Sequence, residues 1–157
     1  MLQLIRGPVI EPNTSLPTVL IRAERQRLAK RLWRAVADDG TEFGFELDTP
    51  LKPEQTALEA NGNRYILAQE PETVLEVTLD MPPSAAAGIG WAIGNMHLEL
   101  SASATHLHTP DEPSTRQLLE RLSVSYRSVS TVFRPGLFTR GSAAAKDTQD
   151  LGPGHRH

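Results

Sequence analysis

Thr73-Val74-Leu75-Glu76-Val77-Thr78-Leu79, then Asp80-Met81-Pro82-Pro83-Ser84, then Ala85 to Ile93, is the stretch that decides the fold. Its first seven residues alternate and carry β-branched side chains, which suits a strand. Two prolines break that strand. Ser84 reads as the N-cap of a helix, with prolines tolerated before it and alanines after it. Gly94-Asn95 reads as the helix stop, because both residue types tolerate the left-handed conformation. Downstream, Leu98, Leu100 and Ala102 alternate as a strand, and His106-Leu107-His108 suggests a second, shorter one. Asp111-Glu112-Pro113-Ser114 opens another helix, with acids near its N-terminus. Leu118, Leu119 and Leu122 supply its apolar face, and Val124 to Phe133 closes with strand alternation. The order over 73–133 is β-α-β-β-α-β, the ferredoxin-like arrangement of two helices on one face of an antiparallel sheet.

The chain before this stretch reads differently. Residues 1–17 are Pro-rich and begin with the alternation Leu2, Leu4. Residues 18–37 carry Arg22, Arg25, Arg27, Arg31 and Arg34, and their periodicity fits helix and strand about equally. Asp38-Asp39-Gly40 is a hairpin signal, followed by Phe43, Phe45 and Leu47 in alternation. Asn61-Gly62 marks a second hairpin between Leu58-Glu59-Ala60 and Arg64 to Ala68. The expected class is α+β: an all-β N-terminal domain at 1–70, a ferredoxin-like domain at 71–135, and a flexible His-containing tail at 136–157.

Composition narrows the function classes. Aromatic residues make up 5%, so the cores are expected to be aliphatic. A net charge of −3 argues against non-specific nucleic-acid binding. No apolar run approaches the length of a membrane span, and Met1 to Arg6 lacks a signal-peptide core, so the expected compartment is the cytoplasm. The cysteine count is zero, which leaves His, carboxylate and backbone oxygen as metal ligands.

No nucleophile elbow, His-Glu-x-x-His motif or P-loop is present, so the chain reads as a non-enzyme. Gly88-Ile89-Gly90-Trp91-Ala92-Ile93-Gly94 invites a dinucleotide reading, but those glycines fall inside the helix rather than ahead of it. The arginine-rich stretch reads as a solvated strand face, or more sharply as a partner-binding one. The five histidines are His97, His106, His108, His155 and His157. His97 directly follows the helix stop, where a rigid turn can aim a side chain. His106 and His108 share one strand face. His155 and His157 close the chain. Imidazole suits nickel, copper and zinc alike.

Val74-Leu75-Glu76-Val77, Asp80, Ala85-Ala86-Ala87 and Trp91-Ala92-Ile93-Gly94-Asn95-Met96-His97 together resemble the UreE family of urease accessory proteins. That family carries a Val-Leu-x-Val strand and a Leu-Gly-Asn-x-His signature. Asp38 to Gly44 is similar to its N-terminal hairpin, and Phe133-Arg134-Pro135-Gly136-Leu137-Phe138 to its closing segment. The resemblance implies an N-terminal domain like a chaperone peptide-binding fold and a ferredoxin-like metal-binding domain. It implies a homodimer that carries Ni(II) to urease and to other urease accessory proteins, including the GTPase. His97 from both chains is then the metal ligand at the dimer interface. His155 and His157 are further candidate ligands, and His106 and His108 auxiliary ones, with Zn(II) or Cu(II) as alternative ions in vitro. Met96 stands where a basic residue is common and Glu99 where proline is common; the family's second histidine pair would fall near Glu112 and Ser114. These departures motivate an alternative reading: an interaction module of the urease assembly machinery that no longer binds metal tightly.

Overall fold

The computed structural model describes residues 1–139 and 148–150. The chain divides into two compact units, Met1–Glu70 and Pro71–His157. The fold is α+β.

The first unit is made almost wholly of strands: β1 (Gln3–Ile5), β2 (Thr18–Ala23), β3 (Leu32–Val36), β4 (Glu42–Glu46), β5 (Thr56–Ala60) and β6 (Asn63–Gln69). They form two three-stranded sheets, ordered β1-β4-β3 and β2-β6-β5. A one-turn helix, α1 (Arg25–Leu28), interrupts the arginine-rich stretch, which is therefore strand, helix and strand in succession. Arg22 of β2 is fixed by Asp38, with Nε and Nη2 donating to the carboxylate at 3.1 Å. Both expected hairpins form. Gly40 (φ 88°) closes the first, and Asn61 (φ 54°) with Gly62 (φ 74°) supplies the paired positive φ that a tight two-residue turn requires.

The expectation of aliphatic cores fails in this unit. Trp33 stacks on Phe45 at 4.2 Å between ring centroids, and Phe43 packs against Phe45 and Tyr65. Average composition hid this, because the few aromatic residues concentrate at inward strand positions. Tyr65 resolves its buried hydroxyl by donating to Asp39 Oδ2 at 2.6 Å. That bond, with those from Thr41, holds the Asp39 carboxyl below its usual range.

The second unit begins with β7 (Glu72–Thr78) and α2 (Pro83–Asn95), continues through β8 (Ser101–Ala102), β9 (His106–Pro110) and α3 (Pro113–Arg121), and reaches β10 (Arg127–Thr131). The strand order β10-β7-β9-β8 with antiparallel neighbours is the ferredoxin-like sheet. Leu75 and Val77 of β7 and Leu107 of β9 form a core with Ile89, Ile93, Leu118 and Leu119 of the helices. The alternate residues Glu76, His106 and His108 therefore occupy the helix-free face.

Three local expectations change. Ser84 is not the N-cap of α2: Pro82 takes that place without a side-chain cap, and its carbonyl accepts from Ala85 and Ala86. Pro83 suits the first helical position because its fixed φ is already helical and its missing N–H would have had no partner within the helix. Leu122 is the C-cap of α3 and largely exposed rather than part of its buried face. The stretch from 136, read as tail, is strand where it is described. β11 (Leu137–Thr139) runs parallel to β8, and β12 (Thr148–Asp150) pairs with β11. Gly136 (φ 83°) turns the chain there, and its N–H donates to the Leu100 carbonyl at 2.7 Å.

Candidate metal centre

His97 sits just past the end of α2, and its backbone explains how it is aimed. The helix does not stop on Gly94-Asn95, which are its last helical residues. The left-handed residue is His97 itself, at φ 58°. Its N–H donates to the Gly94 carbonyl at 2.9 Å, and the Leu98 N–H donates to the Ile93 carbonyl at 3.2 Å. This pair of bonds is a Schellman cap, in which the left-handed position is usually glycine. Leu98 packs into the same core as Ile93 and so completes the motif's apolar contact. An imidazole on a left-handed backbone costs about 1 kcal/mol relative to glycine. The ring is exposed and, among the described residues, makes no side-chain hydrogen bond or ion pair. Its nitrogens are thus available for a ligand.

The surface leading to His97 is apolar and small. α2 contains no charged residue over Pro83–Asn95. Trp91 is 70% exposed and Met96 41% exposed. Gly88 and Gly94 are exposed on the same side, and a Cβ built on either would meet nothing within 4 Å. Helix-interior glycine costs about 1 kcal/mol against alanine, and nothing among the described residues requires it at these two positions.

His106 and His108 lie two apart on β9 and share a face, as their spacing indicated. Both converge on Glu76 of β7, a residue that sequence reasoning had placed only as part of a strand pattern. His108 Nε2 lies 2.7 Å from Glu76 Oε2, and His106 Nε2 lies 3.6 Å from Oε1. Arg127 of β10 completes the group, with Nη2 at 2.6 Å and Nε at 2.8 Å from Oε1. The hydrogen bond from His108, then those from Arg127, hold the Glu76 carboxyl below its usual range. Alternation along β7 was enough to place Glu76 opposite Leu75 and Val77. Its pairing with His108 and Arg127 depends on strand register, which no local signal encodes. Among the described residues, no group of three or more His, Asp or Glu side chains could hold a metal ion. His155 and His157 lie outside the described residues.

Residues 72–157, more than half of the chain, match the sequence model of a family described as UreE urease accessory protein, C-terminal domain. The chain belongs to the UreE family. The matched span starts on the first residue of β7 and takes in His97, His106 and His108. No curated protein matches the chain. Membership of a urease accessory family agrees with the resemblance read from Trp91 to His97 and gives this UreE chain a urease accessory role. Among the described residues, no helix is long and apolar enough to cross a membrane.

Proposed function

We propose that this chain is a cytoplasmic nickel metallochaperone, not an enzyme, that binds Ni(II) between two copies of itself. It then delivers the ion to urease through the other accessory proteins, including the GTPase. The observation that carries this reading is His97 as the exposed left-handed cap of α2, at the end of an uncharged helix surface. One imidazole cannot hold nickel firmly. A two-fold interface places equivalent residues near its axis, so a single His97 per chain becomes a pair.

The surface of α2 supports the pairing. Trp91 is a large apolar residue of the kind that dominates interfaces. Gly88 and Gly94 give up helix stability where a Cβ would meet nothing among the described residues, and glycine lets a partner's backbone approach closely. Two protein ligands leave the rest of the nickel shell to water, or to His155 and His157. Such a site opens readily, which delivery requires. Imidazole binds a metal ion through its neutral form.

The test is calorimetric titration with Ni(II). Wild type is expected to bind one tight ion per two chains, and His97→Ala to lose that ion. Unchanged stoichiometry and affinity in the variant would sink the reading. Nickel-independent capture of urease accessory partners by such a variant would favour the interaction-module alternative.

A further inference from the structure

The arginine-rich stretch of the first unit takes no part in the His97 reading. We infer that β3 and the residues leading into it are a docking edge for an extended acidic segment of a partner protein.

The backbone supplies the first half of the case. β3 is an edge strand in the order β1-β4-β3, and its strand partner is β4. The Leu47 N–H donates to the Arg31 carbonyl and the Ala37 N–H to the Thr41 carbonyl, both at 2.8 Å. Odd-numbered residues of β3 therefore direct their backbone groups at β4, and Leu32, Arg34 and Val36 direct theirs the other way. The N–H of Asp38, next in that series, donates to the Leu20 carbonyl at 2.9 Å, so β2 closes the edge at that end. Along Leu32, Arg34 and Val36, no strand pairs on that side among the described residues. An extended chain laid there would gain main-chain hydrogen bonds.

The side chains supply the second half, because they select the occupant. Arg25, Arg27, Lys30, Arg31 and Arg34 lie between Glu24 and Asp38 with no acidic residue among them. Arg27, Lys30, Arg31 and Arg34 are exposed and make no side-chain hydrogen bond or ion pair among the described residues. Across from them on β4, Glu46 is already paired with Arg6 at 3.6 Å, and Glu42 lies opposite Val36 at the far end of the strand. These four cations stand unpaired in a chain whose net charge is −3. Leu32 is 75% exposed and Val36 59%, on either side of Arg34 along one strand face. The complement is a strand with an acid at its centre, an apolar residue two positions away on each side, and further acids at its ends.

Other occupants fit less well. Two copies of this edge would set arginine against arginine, which is unfavourable. Such charges protect an edge from self-pairing, and they leave an acidic strand as the complement. Nucleic acid favours exposed rings on which bases stack, yet the aromatic residue of β3, Trp33, is 8% exposed and stacked on Phe45.

The experiment uses the full chain and fluorescence anisotropy. The probe is the labelled peptide Glu-Val-Thr-Glu-Thr-Val-Glu, set beside its counterpart with lysine for every glutamate. A single-stranded oligonucleotide and vesicles containing phosphatidylserine are the other polyanions tried. Saturable binding of the acidic peptide is expected, weakening as salt rises, with none of the lysine peptide. Arg31→Glu together with Arg34→Glu should weaken the acidic peptide at least about tenfold and turn the preference to the lysine peptide. That gain cannot come from a damaged fold. Leu32→Ser should weaken the acidic peptide about three- to tenfold and leave the salt dependence unchanged. Absence of saturable peptide binding, or binding that survives the charge reversal, would overturn the inference. So would tighter binding of the oligonucleotide or the vesicles than of the peptide. No metal enters the measurement, so its failure would leave the His97 reading untouched.

Discussion

The last turns of α2 and α3 match position for position. Ile93 and Leu119 are each fully buried three residues before the cap, and Met96 and Leu122 are each 41% exposed at the cap. His97 and Ser123 both take the left-handed conformation at φ 58°. Leu98 and Val124 both donate back to the buried residue's carbonyl, at 3.2 and 2.9 Å. The outward positions differ. Where α2 has Gly90, Trp91, Gly94 and Asn95, α3 has Arg116, Gln117, Glu120 and Arg121. Arg116 and Glu120 are engaged within the chain, by Asp111 and Tyr126. One backbone device thus serves twice in the ferredoxin-like repeat. On α3 it ends a charged, self-satisfied helix. On α2 it ends an apolar one and presents an imidazole that has no side-chain partner among the described residues.

The largest effect should come from the shared part. Ile93→Ala and Leu119→Ala should each destabilise the second unit by about 2–5 kcal/mol, read by hydrogen exchange of its sheet amides. Similar losses would confirm that the two ends are built alike. A near-neutral Ile93→Ala would break the equivalence.

Association comes next. Trp91→Glu should weaken self-association at least about tenfold in sedimentation equilibrium, because buried tryptophan is typically an interface anchor. Gln117→Glu, at the matching place on α3, should leave it unchanged. If the two variants behave alike, the apolar surface of α2 is not the dimer face.

The smallest effect concerns the caps. His97→Gly and Ser123→Gly should each stabilise the unit by up to about 1 kcal/mol, since each relieves a left-handed non-glycine residue. Only the first should also cost metal binding. A destabilised His97→Gly chain would show that the imidazole packs in the fold rather than facing a ligand.

Much of this was legible in the residues. Alternation in Thr73 to Leu79 and the leucines at 118 and 119 gave the ferredoxin-like order, because a two-layer core imposes strict periodicity on both layers. The turn pairs Asp39-Gly40 and Asn61-Gly62 gave the hairpins, because positive φ restricts residue choice. The cap of α2 was misplaced for the same reason: glycine and asparagine are favoured in the left-handed region, yet the chain places its histidine there. The sharp motif was found, but its geometry was not. Partnerships across the sheet, such as Glu76 with His108 and Arg127, depend on register between strands far apart in sequence. No local pattern carries that information.

The central claim is that His97 works only as a pair across two chains. Native mass spectrometry of mixed wild-type and His97→Gly chains, loaded with Ni(II), tests it most directly. Wild-type dimers are expected to hold one tight ion, and both mixed and double-variant dimers none. A mixed dimer that keeps its ion as firmly as the wild-type dimer would contradict the account.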